Sequence, residues 1–149
     1  MARRAFFSFH YERDISRANV VRNSWVTKAD REAAGFFDAG LWEEAKKKGD
    51  VAIKTMIDAA LRNTSVTAVL IGRNTADRNY VRYEIEQSIA RGNGILGVWI
   101  HKIKNLAGEM DEAGKNPLPS KYKVYAWNRD EGYMNFGTWV EDAAKVAGR

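Results

Sequence analysis

Apolar residues fall into short runs separated by amphipathic stretches, and that alternation sets the expected elements. Ala5–His10 is a compact apolar run ending in polar residues and predicts a first strand. Asp14–Asn23 follows as a helix, with Ile15, Ala18 and Val21 at helical spacing and Asp14 as its N-cap. Ser24–Gly35 is polar and irregular, a loop or a short helix that Gly35 ends with a turn. Phe36–Asp38 predicts a short second strand. Ala39–Gly49 is charged and contains Gly40 and Gly49, so it reads as a long connecting loop with at most a helical turn.

Asp50 caps a helix reaching about Asn63, whose Ile53, Met56, Ile57, Ala60 and Leu61 form one apolar stripe. Val66–Ile71 is almost wholly apolar, as a strand covered on both faces must be. After a loop at Gly72–Ala76, Asp77 caps a helix ending at Arg91, with Gly92-Asn93-Gly94 as the stop. Ile95–Ile100 is another continuous apolar strand. Lys102–Lys121 is polar, carries Pro117 and Pro119, and reads as a surface excursion. Lys123–Trp127 predicts the fifth strand, and Asn135 caps a last helix built on Phe136, Trp139, Val140, Ala143 and Ala144. This alternation predicts an α/β fold, a three-layer sandwich with a central parallel five-stranded sheet, over a single domain 1–149. Ligands of such sheets sit beyond the carboxyl ends of the strands, here Ser8–Tyr11, Asp38–Gly40, Gly72–Asn74 and His101.

Composition removes several chemistries. The 149 residues include no cysteine, so disulfides, thiolate metal sites and a cysteine nucleophile are excluded. Only His10 and His101 are histidines, too few for an evident metal cluster. No apolar run approaches a membrane span or a signal peptide, and the expectation is a soluble cytoplasmic protein. The net charge of +5 comes from 24 basic residues dispersed among 19 acidic ones, without a nucleic-acid-binding module. The densest run, Lys46-Lys47-Lys48, reads first as a solvated loop and second as a steering patch for phosphates. There is neither GxxxxGK[ST] nor GxGxxG. The bulky His10-Tyr11-Glu12-Arg13 after the first strand does not suit a flavin-phosphate loop, and Ile71-Gly72-Arg73 lacks a receiver domain's acceptor aspartate.

The helix after Asp77 is the informative one. Taking Val81, Ile85, Ser88 and Ile89 as its buried face, Glu84 falls roughly 85° from the middle, on the flank of Tyr80. Glu86 lies on the opposite flank. Glu84 is thus a border carboxylate: either an ordinary helix glutamate paired with a cation, or a partly buried one that polarises a bound substrate.

Phe6-Phe7-Ser8-Phe9-His10 resembles the opening strand of Toll/interleukin-1 receptor (TIR) domains, and Phe36-Phe37-Asp38 resembles their second strand before a mobile pocket loop. Tyr80-Val81-Arg82-Tyr83-Glu84 resembles the aromatic-x-x-x-Glu helix motif of TIR enzymes that cleave NAD. With Arg13-Asp14, Arg22–Trp25, Val66–Gly72, Val81–Ile89 and Gly92–His101, the match is nearer to the bacterial TIR-like family that supplies the sensor TIR protein of Thoeris anti-phage defence. It spans about residues 5–104.

The resemblance implies an NAD-cleaving enzyme with no prosthetic group and no metal, NAD being its substrate. Glu84 corresponds to the catalytic glutamate beside the nicotinamide ribose, and the product is a cyclic ADP-ribose-type signal, ADP-ribose or a conjugate. Ser8, Phe9, His10, Tyr11, Asp38, Trp42 and Tyr80 correspond to nucleotide-pocket positions. For Phe9 core packing is the competing role. For His10 it is completion of a strand end, and for Trp42 a partner interface. Tyr80 stands where the motif commonly has Trp. The resemblance further implies self-association through TIR–TIR contacts, a phage-derived trigger and an effector that answers the product. The alternative reading is a non-catalytic TIR adaptor that works by assembly.

Overall fold

A computed structural model describes residues 3–149. Met1 and Ala2, which the single-domain reading includes, lie outside the described residues. In chain order the elements are β1 (Arg3–Ser8), α1 (Ile15–Val26), β2 (Arg31–Gly35), α2 (Ala39–Lys48), α3 (Asp50–Leu61) and β3 (Val66–Ile71). A single 3-10 turn at Thr75–Asp77 leads into α4 (Asn79–Ala90), β4 (Gly94–Trp99), β5 (Val124–Ala126) and α5 (Gly132–Val146). The sheet is parallel throughout, in the order β2-β1-β3-β4-β5. The strand order reverses between β1 and β3, so the switch-point crevice opens at the ends of these two strands.

Helices α1 and α5 pack on one face of the sheet, and α3 and α4 on the other, with α2 laid against α3. Every residue of β3 is buried, as the unbroken apolar run Val66–Ile71 requires. On the α1/α5 face Trp25 meets Phe136 edge-on, with centroids 5.8 Å apart. Under α4, Val81 and Ile85 close over Val69, Ile71 and Ile95. The backbones of β4 and α5 approach so closely at Gly94 that a Cβ there would lie 2.5 Å from the Ala143 carbonyl oxygen.

Two expected elements differ. The second strand is Arg31–Gly35 rather than Phe36–Asp38. It is an edge strand whose outer residues are exposed, and an Arg4–Glu32 pair at 2.9 Å stands where an apolar signature would otherwise be. The expected loop Ala39–Gly49 is instead the helix α2. The Asp38 carboxylate caps it by accepting the Leu41 N–H at 2.9 Å, Trp42 and Ala45 are buried one turn apart, and Lys46–Lys48 oppose the negative end of its dipole. Smaller shifts concern helix starts. Asp14 precedes α1 without a capping bond, α1 runs on to Val26, Gly49 rather than Asp50 caps α3, and α4 starts at Asn79. α5 begins at Gly132, placing Asn135 inside the helix.

The excursion between β4 and β5 has no regular element. It is tied across the strand ends by the buried Arg17, whose Nε donates to the Ile103 carbonyl at 2.7 Å and whose Nη2 donates to the Glu109 carbonyl at 3.0 Å.

Candidate active site

Ser8 ends β1 and Tyr11 lies in the turn that follows, so both project over the carboxyl end of the sheet. Opposite them α4 presents Glu84. The buried positions of α4 are Val81, Glu84, Ile85 and Ser88, whereas Ile89 is 40% exposed. With Ile89 outside the stripe, its centre rotates toward Glu84, which is fully buried rather than at a border.

Both carboxylate oxygens are occupied. Ser8 Oγ donates to Glu84 Oε1 at 2.6 Å, and the Tyr11 hydroxyl donates to Oε2. Burial pushes the Glu84 carboxyl up from 4.5 to about 8, and the two hydroxyl donors, which favour the charged form, only partly offset that. The same burial, with the adjacent carboxylate, holds the Tyr11 phenol well above its ordinary range. One turn on, Ser88 Oγ donates to the Glu84 carbonyl and shares a 2.7 Å bond with Thr67 Oγ1, which fixes the helix against β3.

An aromatic cover closes the group. Trp42 stacks on Tyr11 with centroids 4.2 Å apart, Tyr80 meets Trp42 edge-on at 5.5 Å, and Phe9 lies 4.5 Å from Tyr11. The Trp42 Nε1–H is buried and has no partner among the described residues. Exposed links hold the cover from outside: Glu12 accepts from Lys46 Nζ on α2 at 3.3 Å and from Arg78 at 3.2 Å, and the Tyr80 hydroxyl donates to Asp50 at 2.7 Å.

Among the residues expected at the site, Ser8, Tyr11 and Glu84 are directly bonded, and Phe9, Trp42 and Tyr80 surround them. Phe9 is fully buried in the core. His10 is half-exposed, accepts the Arg13 N–H on Nδ1 at 3.1 Å, and is held below its ordinary pKa by burial and by Arg78. Asp38 acts one step removed, as the cap of α2. The Glu12–Lys46–Arg78 link has no signal in the sequence, because charges so far apart in the chain carry no pattern. No group of three or more His, Asp or Glu side chains is placed to hold a metal among the described residues.

Tyr11→Phe keeps the ring stack and deletes the donor to Oε2. A loss of about 1–2 kcal/mol in unfolding free energy by chemical denaturation is expected, the cost of one buried hydrogen bond to a carboxyl. An unchanged midpoint would mean that the bond contributes nothing.

The family model described as "Thoeris protein ThsB, TIR-like domain" matches residues 6–105. A Bacillus cereus (strain MSX-D12) protein, ThsB1, is 40% identical over 191 aligned positions, covering 94% of this chain and 100% of the relative. Its name offers cyclic ADP-D-ribose synthase as a proposed activity.

Proposed function

The chain belongs to the TIR-like family of the Thoeris protein ThsB, and from that premise we propose that it cleaves NAD and converts the ADP-ribosyl unit into a cyclic ADP-ribose-type signal, with Glu84 as the carboxylate at the reacting sugar. The observation that carries this reading is the buried Glu84 carboxyl, gripped by Ser8 and Tyr11 at the end of β1 beside an aromatic cover.

The bond between the ribose anomeric carbon and the nicotinamide nitrogen breaks. The electron pair leaves with nicotinamide, and the ribose becomes an oxocarbenium-like cation. An ionised carboxylate in a water-poor setting stabilises that cation far more than it would in water. A nucleophile of the same nucleotide then closes the ring and gives up its proton; capture by water would yield ADP-ribose instead. Ser8 and Tyr11 orient the carboxylate and favour its charged form.

Glu84 has no exposed surface, so the ribose reaches it only when Tyr11 and Trp42 yield. The ion pair that ties α2 to the turn after β1, Lys46–Glu12, is exposed and of small net worth, so α2 is the element to move once the Trp42–Tyr11 stack opens. Such a closed resting site suits an enzyme that waits for a phage-derived trigger, assembles with other TIR domains and signals to an effector in the cytoplasm. No helix among the described residues is long and apolar enough to cross a membrane.

The test is nicotinamide release from NAD, with product masses followed by chromatography and mass spectrometry, for the purified protein alone and with extract of infected cells. Because the Glu84 carboxyl titrates near 8, the acidic limb of the kcat/KM profile is expected above the ordinary glutamate range, with rate rising as the proton leaves. No release under either condition would leave the adaptor reading.

A further inference from the structure

A cavity lies at the far edge of the sheet, away from Glu84. It has a volume of about 390 Å3, and it exists because β5 is too short to cover β4. β5 pairs only with Gly97–Trp99, which leaves the Gly94–Leu96 end of β4 without a neighbour on that side. Along β4 the even residues turn their backbone groups toward β3, as Gly94 N–H to the Ser65 carbonyl at 2.9 Å shows. The odd ones turn toward β5, as Gly97 N–H to the Lys123 carbonyl at 2.9 Å shows. The N–H and C=O of Ile95 therefore point into the vacated lane, with no backbone partner there among the described residues, although Ile95 is only 5% exposed.

Ile89 of α4 lines this lane, as do Trp139 and Val146 of α5 and Tyr122 before β5. Tyr125 stacks on Trp139 at 4.3 Å, stiffening the wall. Lys121 and Lys123 stand at the cavity, and neither has a carboxylate within 4.0 Å among the described residues. The Asp142 carboxylate also lines the cavity, on the α5 side, so a bound anion has to sit toward Lys121 and Lys123. An apolar slot of this size with one fixed donor–acceptor pair and charged groups at its edge has the make-up of a small-molecule site.

We propose that this cavity binds a nucleotide: a planar base set edge-on against the Ile95 N–H and C=O, with its phosphate at Lys121 and Lys123. A nucleobase presents an adjacent donor and acceptor on one edge, which is what a single strand-edge residue matches. The apolar walls cover its faces, and the lysines supply the countercharge. An added peptide strand fits less well, because strand addition depends on a row of main-chain bonds and, among the described residues, this lane offers those of Ile95. The inference does not depend on the activity proposed for Glu84.

The test uses the whole chain, isotope-labelled, with AMP and GMP as probes and amide NMR as the readout. Saturable binding is expected to shift the Ile95 amide and slow its hydrogen exchange, leaving the Ser8 and Tyr11 amides in place. Lys121→Glu with Lys123→Glu, both exposed positions, is expected to weaken binding by about tenfold or more, the size of a lost charge-assisted contact. The inference is overturned by the absence of saturable binding at millimolar nucleotide, by shifts confined to Ser8 and Tyr11, or by unchanged affinity in the lysine variant. Protection of the Ile95 amide that grows with protein concentration alone would overturn it in favour of pairing between copies.

Discussion

Glu84→Gln is expected to lower nicotinamide release from NAD by about 10²–10³-fold, the usual loss when a preorganised electrostatic partner of a charged transition state is removed. The amide has the shape of the carboxyl, and the Ser8 and Tyr11 hydroxyls can still bond to it, so the fold should persist. What disappears is the negative charge. The same variant should gain stability at neutral and alkaline pH, which separates loss of chemistry from loss of structure. In the folded chain the Glu84 carboxyl is raised from 4.5 to about 8 by burial. Between those values the native state keeps a proton that the unfolded chain has released, so stability falls as pH rises through the interval. The fall in the native protein amounts to on the order of 4 kcal/mol between pH 5 and pH 8 at about 1.4 kcal/mol per pH unit. Denaturant titrations at several pH values should show that decline in the native protein and its absence in Glu84→Gln. Undiminished NAD turnover in the variant would place the chemistry at another carboxylate.

Much of this site was legible because the fold announces itself in runs of apolar residues. The bounds of Val66–Ile71 are visible to the residue, since a strand covered on both faces cannot contain charge. The parallel alternation places Ser8–Tyr11 at the carboxyl end of the sheet, the resemblance to TIR enzymes joins Glu84 to them, and the structure bonds the three together. The depth of Glu84 was not legible. Ile89 is apolar and reads as part of the buried stripe, yet it lies beside the cavity at the open β4 edge and is 40% exposed, so the pattern overstates the angle to Glu84. β2 and α2 were missed for related reasons. An edge strand with an Arg4–Glu32 pair has no apolar signature, and a helix whose buried positions among the described residues are Trp42 and Ala45 shows too thin a stripe beside Gly40 and a lysine run. Long-range polar bonds are invisible to local patterns. Arg17 looks like any helix arginine until the excursion is seen folded onto it.

Arg17→Met is expected to cost about 3–5 kcal/mol, the range for removing one partner of a buried ion pair. Arg17 is 3% exposed, and three of its nitrogens are engaged: Nη1 with Asp14 Oδ1 at 3.2 Å, Nε with the Ile103 carbonyl and Nη2 with the Glu109 carbonyl. Methionine fills comparable space along the stem but leaves two carbonyls and a carboxylate unmatched. Asp14 is the sharper part of the loss. It is fully buried, its Oδ2 has no partner among the described residues, and burial holds its carboxyl above the ordinary range even with Arg17 beside it. Without the guanidinium that carboxyl rises further, so the folded variant keeps a proton at pH values where the unfolded chain has none. The deficit should therefore be smaller at pH 4 than at pH 7, and Asp14→Asn should recover part of it at pH 7 in a double-mutant cycle. Arg17→Lys keeps the charge but not the fork that reaches both carbonyls, and an intermediate loss is expected. A deficit that does not change with pH, with no recovery from Asp14→Asn, would show that Arg17 acts through the excursion's carbonyls and not through the buried pair.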